Sequence, residues 1–282
     1  MHFDLYVPKG ILQHFVESIL FMSGNGTGIA FQRMNQTIII NMGTGFRVSD
    51  IYAANPKPAE QRDTIWINGK QEIPFMLENS GQMEMYVIGV RPGMLPFLAS
   101  LPAIETNDQA VGAANWTSPE IYNLRERLFS CATIQSGFAL IENYLTGLLR
   151  QKELSGLDKV EWLGKAIHTH RVEDICRSLG VTRKKLRSEA QHFFGGSVKS
   201  LQGILRFNNT LSGIAHHSNR SLTSLHPYYD QSHFINDFKA RTGITPSQYK
   251  ALCRRFPEIR YTPNFLPMER ETFLQFISAG DI

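Results

Sequence analysis

Two short stretches carry the residues best suited to molecular recognition. Arg183, Lys184, Lys185 and Arg187 follow Thr182, and Gln231, Ser232, His233 and Asn236 follow Asp230. Thr and Asp at these places read as helix N-caps, because a side-chain oxygen there accepts from the open N–H groups of the first turn. The residues after a cap stand at the leading edge of the helix. There a guanidinium offers two parallel donors that match guanine, and Gln or Asn match adenine. The pattern is one of reading base edges rather than making bonds. Lys199, Arg206, Lys239 and Arg241 flank these stretches and suit phosphate oxygens, which give position and salt-dependent affinity.

The elements that must position these residues form a repeat. Residues 171–197 (RVEDICRSLGVTRKKLRSEAQHFFGGS) and 221–247 (SLTSLHPYYDQSHFINDFKARTGITPS) align at Gly195 and Gly243, a period of 48. Thr182 then falls on Asp230, and Leu186 on Phe234. Each unit reads as helix, tight turn, helix, with Leu179-Gly180-Val181 and Pro227-Tyr228-Tyr229 as the turns. Such a unit can place its second helix in a major groove, N-terminus first. Cys176 is a small residue where two helices cross.

Charge follows the same division. Residues 158–260 hold 17 Lys/Arg against 8 Asp/Glu, and the remainder 12 against 17, within a net charge of +4. A basic module joined to an acidic one fits a polyanionic partner. At 42% hydrophobic and 19% charged the chain has a globular balance. No apolar run reaches the ~20 residues of a membrane span. The start, MHFDLYVPKG, lacks the basic flank and apolar core of a signal peptide. Cys131, Cys176 and Cys253 are far apart and form no CxxC, so a reduced cytoplasm is the expected compartment.

Other chemistries are not supported. Gly24-Asn25-Gly26-Thr27-Gly28 lacks the Lys-Ser/Thr of a phosphate loop and reads as a strand connection. His168, His170, His216 and His217 have no metal-binding companions, and before Glu120 only His2 and His14 occur. No GxSxG nucleophile elbow is present. No metal, no cofactor and no enzymatic activity are expected.

The first 155 residues read as short strands. Thr37 to Asn41 and Phe46 to Val48 flank a Gly43-Thr44-Gly45 turn. Asp63 to Ile67 leads into Asn68-Gly69, which predicts a type I′ hairpin returning over Lys70 to Leu77, with Pro74 at an edge or bulge. After the Asn79-Ser80-Gly81 turn, Met83, Met85 and Val87 alternate with Glu84, Tyr86 and Ile88, as in a strand with two faces. Ser118-Pro119 reads as a helix start. Two helices over Glu120 to Leu154 are expected, broken near Gln135-Ser136-Gly137. Phe31, Phe46, Tyr52, Trp66, Phe75 and Tyr86 are candidates for a ligand pocket or for core. The expected fold is α+β. A small antiparallel β-barrel or sandwich with appended helices spans residues 1–155, an all-α part with two helix-turn-helix units spans 158–260, and a tail spans 261–282.

These residues resemble the AraC/XylS family of transcription regulators. Asp230-Gln231-Ser232-His233-Phe234, Phe238-Lys239 and residues 242–249 (TGITPSQY) are similar to the family's closing signature, and Leu205-Arg206-Phe207 to its joining helix. The N-terminal part is similar to a cupin-like sensor domain through Leu12 to Ile19, Gly69-Lys70-Gln71 and Ile88 to Gly93. The resemblance implies sequence-specific binding of double-stranded DNA through two recognition helices. It also implies a small-molecule effector, a homodimer and contact with RNA polymerase, without a membrane partner. Pro227, His226, Ala190 and Ser188 depart from the family pattern. Ala190 stands where an aromatic is expected, and Phe193 or Phe194 must fill that space. Alternative readings are an interaction protein with a degenerate helix-turn-helix domain and an enzyme with a β-barrel site.

Overall fold

The computed structural model describes residues 2–24, 26–51, 59–61, 64–79, 81–115, 120–217 and 231–278. The fold is α+β, with antiparallel sheets first and helices after. The strands of the N-terminal half are β1 (His2–Tyr6), β2 (Val16–Gly24), β3 (Gly28–Ala30), β4 (Gln36–Asn41), β5 (Phe46–Asp50), β6 (Ala59–Gln61), β7 (Ile65–Asn68), β8 (Phe75–Asn79), β9 (Met83–Val90) and β10 (Ala110–Gly112). Helices α1 (Leu95–Leu98), α2 (Glu120–Phe129) and α3 (Ile134–Arg150) belong to the same half. They are followed by α4 (Leu157–Thr169), α5 (Val172–Leu179), α6 (Arg183–Phe194), α7 (Val198–His216), α8 (Gln231–Thr242), α9 (Pro246–Arg255), β11 (Phe265–Leu266) and α10 (Arg270–Ser278).

One sheet runs β1-β2-β9-β4-β7-β10 and the other β11-β3-β8-β5-β6. Period-two alternation sends the two faces of the first sheet to different cores. Met83 and Met85 meet Ile39, Trp66 and Phe46 between the sheets. Tyr86 and Ile88, with Ile38, Ile40, Ile65 and Ile67, pack with Leu124, Leu128, Phe138 and Ile141 of α2 and α3. Hence β4, covered on both sides, is buried at all six positions, and its Thr37-Ile38-Ile39-Ile40 run shows little polar alternation.

Two expectations are corrected. Asn68-Gly69 does not turn a hairpin. Asn68 pairs with Thr37 and Ala110 in the first sheet, and the chain then crosses to the second, where β8 pairs with β3 and β5. Gly69 serves close approach instead: a Cβ there would lie 2.1 Å from Thr106 Oγ1. The helix break falls at 130–133, before Gln135. Thr133 Oγ1 accepts from Ser136 N at 3.1 Å and Ser136 Oγ bonds back to the Thr133 N–H, starting α3 with a capping box. Ser118 and Pro119 lie outside the described residues.

Gly137, in the first turn of α3, faces the Tyr86 hydroxyl; a Cβ would approach it to 2.1 Å, whereas Gly147 in the same helix has nothing within 4 Å. Gly137→Ala is therefore expected to destabilise the chain by about 1–3 kcal/mol through overpacking. Gly147→Ala should be neutral or stabilise by about 0.5–1 kcal/mol through helix propensity. Urea melts of the two variants check the contrast.

Candidate nucleic-acid interface

The first unit comprises α5 and α6. Gly180 ends α5 in the left-handed region (φ 62°), and its N–H reaches the Arg177 carbonyl. Thr182 then caps α6, its hydroxyl accepting from Lys185 N at 3.2 Å. Arg183, Lys184, Lys185 and Arg187 all lie exposed along the following turns. Arg183 reaches Glu173 of α5 at 2.6 Å, and Lys185 lies 3.7 Å from Glu189. Such exposed pairs are worth little and yield readily to a stronger anion.

The second unit repeats this pattern. Asp230 and the turn before it lie outside the described residues, and so does the side chain of Gln231. In α8, Ser232, His233 and Asn236 are exposed. The buried positions of the two units correspond at the 48-residue period. Leu186 matches Phe234, Ala190 matches Phe238, Leu201 matches Tyr249 and Ile204 matches Leu252; all eight are buried. Gly195 (φ 76°) and Gly243 (φ 77°) both use the left-handed region that favours glycine. Ser197 and Thr245 then cap α7 and α9 by accepting from Ser200 N and Gln248 N.

The flanking cations have different surroundings. Lys239 is exposed on α8. Lys199, Arg206 and Arg241 line a cleft of about 480 Å³ with Gln32, Glu72 and Asp237. Arg241 Nε donates to both Asp237 oxygens at 3.0 and 3.1 Å, and its NH1 donates to Gln32 Oε1 at 2.6 Å. Gln32 Nε2 donates in turn to the Glu72 carbonyl at 2.6 Å. The Glu72 carboxylate accepts from Lys70 Nζ (2.6 Å) and from Ser200 Oγ at the start of α7 (2.9 Å). A polar chain thus runs from α8 through the N-terminal half to α7. The Lys70 hydrogen bond holds the Glu72 carboxyl below the usual carboxylate range against a desolvation effect that raises it, and the Ser200 bond helps.

Sequence reasoning did not pick out Gln32, Lys70, Glu72, Asn107 or Ser200 as contacts between the halves. Asn107 Nδ2 donates to the Gly195 carbonyl at 2.6 Å, and Phe97 stacks on Phe193 at 5.9 Å. A signal existed only for Lys70. A lysine beside the Ile65-Trp66-Ile67 run that becomes buried must have a partner.

The aromatic candidates divide among several places. Phe46 and Trp66 meet edge-to-face between the sheets, at 6.1 Å. Tyr86 lies on the other face against Phe21 and Phe138. Phe31 packs on Tyr249 of α9. Phe75 is half-buried on β8, and Tyr52 lies outside the described residues. Among the described residues no group of three or more His, Cys, Asp or Glu could hold a metal ion. No helix among them is long and apolar enough to cross a membrane.

No family model matches the chain, and no curated protein matches it. Among solved structures it is similar to ToxT from Vibrio cholerae. An apo variant of strain SCE256 is 16% identical, covering 83% of this chain and 97% of that one, with a TM-score of 0.43. A second ToxT crystal form is 15% identical over 88% and 98% of the two chains, with a TM-score of 0.43. ToxT bound to an unsaturated fatty acid is 13% identical over 88% and 94%, with a TM-score of 0.42.

Two predictions follow from the packing and the polar chain. Ala190 has no exposed surface and shares a core with Phe194, whose ring faces Gly93 and Gly164. Ala190→Phe should overpack this core and cost about 1–3 kcal/mol in a denaturant titration. The Glu72 pKa is lower folded than unfolded, so its contribution is present above the unfolded value and lost as pH falls through the folded value. The wild type should therefore be more stable than Glu72→Gln at neutral pH, with the gap closing in acid. A gap that is constant across an acid titration would show that the carboxylate charge is not what matters.

Proposed function

We propose that this chain is a sequence-specific DNA-binding transcription regulator of the AraC/XylS type. The observation that carries the reading is the structural repeat. Helix, left-handed glycine, hydroxyl cap and helix recur 48 residues apart, with matching buried positions and polar or basic leading turns. A lone basic helix is a common solvated surface. Two equivalent helices in one basic segment offer paired edges to a periodic polyanion.

In this reading Arg183, Lys184, Lys185, Arg187, Gln231, Ser232, His233 and Asn236 read bases. Lys199, Arg206, Lys239 and Arg241 hold phosphates. Residues 158–260 form the DNA-binding module, and residues 1–155 form the sensing and dimerising part. The same resemblance supports a small-molecule effector, contact with RNA polymerase and a cytoplasmic setting.

Selection of duplexes from a random pool by the purified chain should return an enriched motif. Gln231→Ala and His233→Ala should then weaken the selected duplex more than a scrambled one, by about 1–3 kcal/mol for each lost bidentate contact. Lys239→Ala should weaken both equally and flatten the salt dependence by about one unit of slope. An unenriched pool, with equal losses on both duplexes, would reject base reading and leave an interaction protein.

A further inference from the structure

We propose that residues 263–278 are a strap that holds the second helical unit against the N-terminal sheet, and that its release frees Arg241 for DNA. The inference rests on the DNA-binding reading above.

The chain runs past α9 and returns to the sheets. Asn264 accepts from Phe31 N at 2.8 Å, and β11 then joins the edge of β3, with Phe265 opposite Ala30 and Leu266 opposite Ile29. Leu266, Met268 and Phe273 enter a core that mixes Ile29, Phe31, Ile51 and Met76 of the N-terminal half with Phe238, Tyr249 and Leu252 of the second unit. Two hydrogen bonds fasten the segment to both sides. Tyr249 Oη donates to the Pro263 carbonyl at 2.6 Å, and Arg270 Nε donates to the Ile51 carbonyl at 3.2 Å. Burial raises the Tyr249 phenol pKa well above its usual value, so it stays a donor at any ordinary pH.

The strap is shaped to fit and yet easy to release. A Cβ on Gly28 would lie 2.3 Å from the Phe265 ring and 2.6 Å from the Leu266 carbonyl, so the strand seats only over glycine. It pairs through two residues alone, and such short edge pairings belong to the weakly held parts of a fold. Its anchor also adjoins Arg241. Asn264 bonds to Phe31, and the next residue, Gln32, binds the Arg241 guanidinium. While the strap is seated, Arg241 is neutralised by Asp237 and engaged by Gln32. Unseating it removes the second unit from this side of the sheet and restores a cation to the end of α8.

A reversible lock tests this. Ala30→Cys and Phe265→Cys stand opposite one another across the β3–β11 pair. They are placed in the full chain with Cys131→Ser and Cys176→Ser, leaving the buried Cys253 in place. Diamide closes the bridge and dithiothreitol reopens it, so one polypeptide supplies both states. Amide hydrogen exchange across α8 and α9 should slow about ten-fold on closing, because local opening is suppressed. Binding to a 30-base-pair duplex, read by fluorescence anisotropy, should weaken about ten-fold. Gly28→Ala should have the opposite effect on both measurements.

Unchanged exchange in α8 and α9 would overturn the strap. Equal or tighter duplex binding by the closed form would overturn its inhibitory role. If neither form binds any duplex, the DNA-binding reading falls and takes that role with it, while slowed exchange still establishes the strap.

Discussion

The second helical unit does not close a core of its own. Phe238 touches Phe207, Phe234 and Tyr249 with ring centroids 5.6–5.9 Å apart, but Tyr249 continues edge-to-face onto Phe31 of the N-terminal half. Ile29, Ile51 and Met76 complete the same cluster. Burial of apolar area is the main favourable term in folding. Its sharing across the two halves therefore gives the helices a preferred seat rather than a free tether. The first unit is seated in the same manner. Val160, Leu163, Leu186 and Phe194 lie in one cluster with Leu95 and Phe97.

Polar groups refine these apolar seats. Lys70 is almost fully buried, so its ammonium must be matched by Glu72. Asp108, itself at a positive φ of 52°, accepts from Glu72 N and Ile73 N and fixes the loop that carries the pair. The Glu72 carboxylate then meets the N-terminal turn of α7, where helix N–H groups favour negative charge. Removing one member of such a pair costs more than the pair contributes, because the other is left buried without compensation. The network thus selects one relative placement more than it adds stability.

The sequence made the repeat legible because its markers are local. A hydroxyl cap, a left-handed glycine and an apolar position four residues along depend only on backbone geometry, and they recur at Gly195 and Gly243. Alternation along Met83–Val90 was legible for the same reason, since the two faces of β9 differ. Asn68-Gly69 was misleading. Its local preference for a tight turn gave way to Thr106, whose backbone presses on Gly69, and to a crossover between sheets. Phe265-Leu266 carried no local mark of a strand, because two residues form one only against a partner more than 230 positions away in sequence. The Gln32–Arg241 bond, also across the whole chain, is equally invisible to periodicity.

The joining helix turns these separate seats into one constraint. Val198, Leu201 and Ile204 of α7 belong to the core of the first unit, and Phe207, Leu211 and Ile214 to the core of the second. The helix has 19 residues, a rod of ~28 Å at 1.5 Å per residue. Neither unit can rotate against the other without bending that rod or pulling half of it from its core. A duplex demands a fixed spacing between two reading edges, and a rod buried at both ends supplies one. The second seat includes the short β11 pairing and the first does not, so the pair is more easily adjusted at its α8 end. Arg241 stands at that end, bonded to the protein across the cleft.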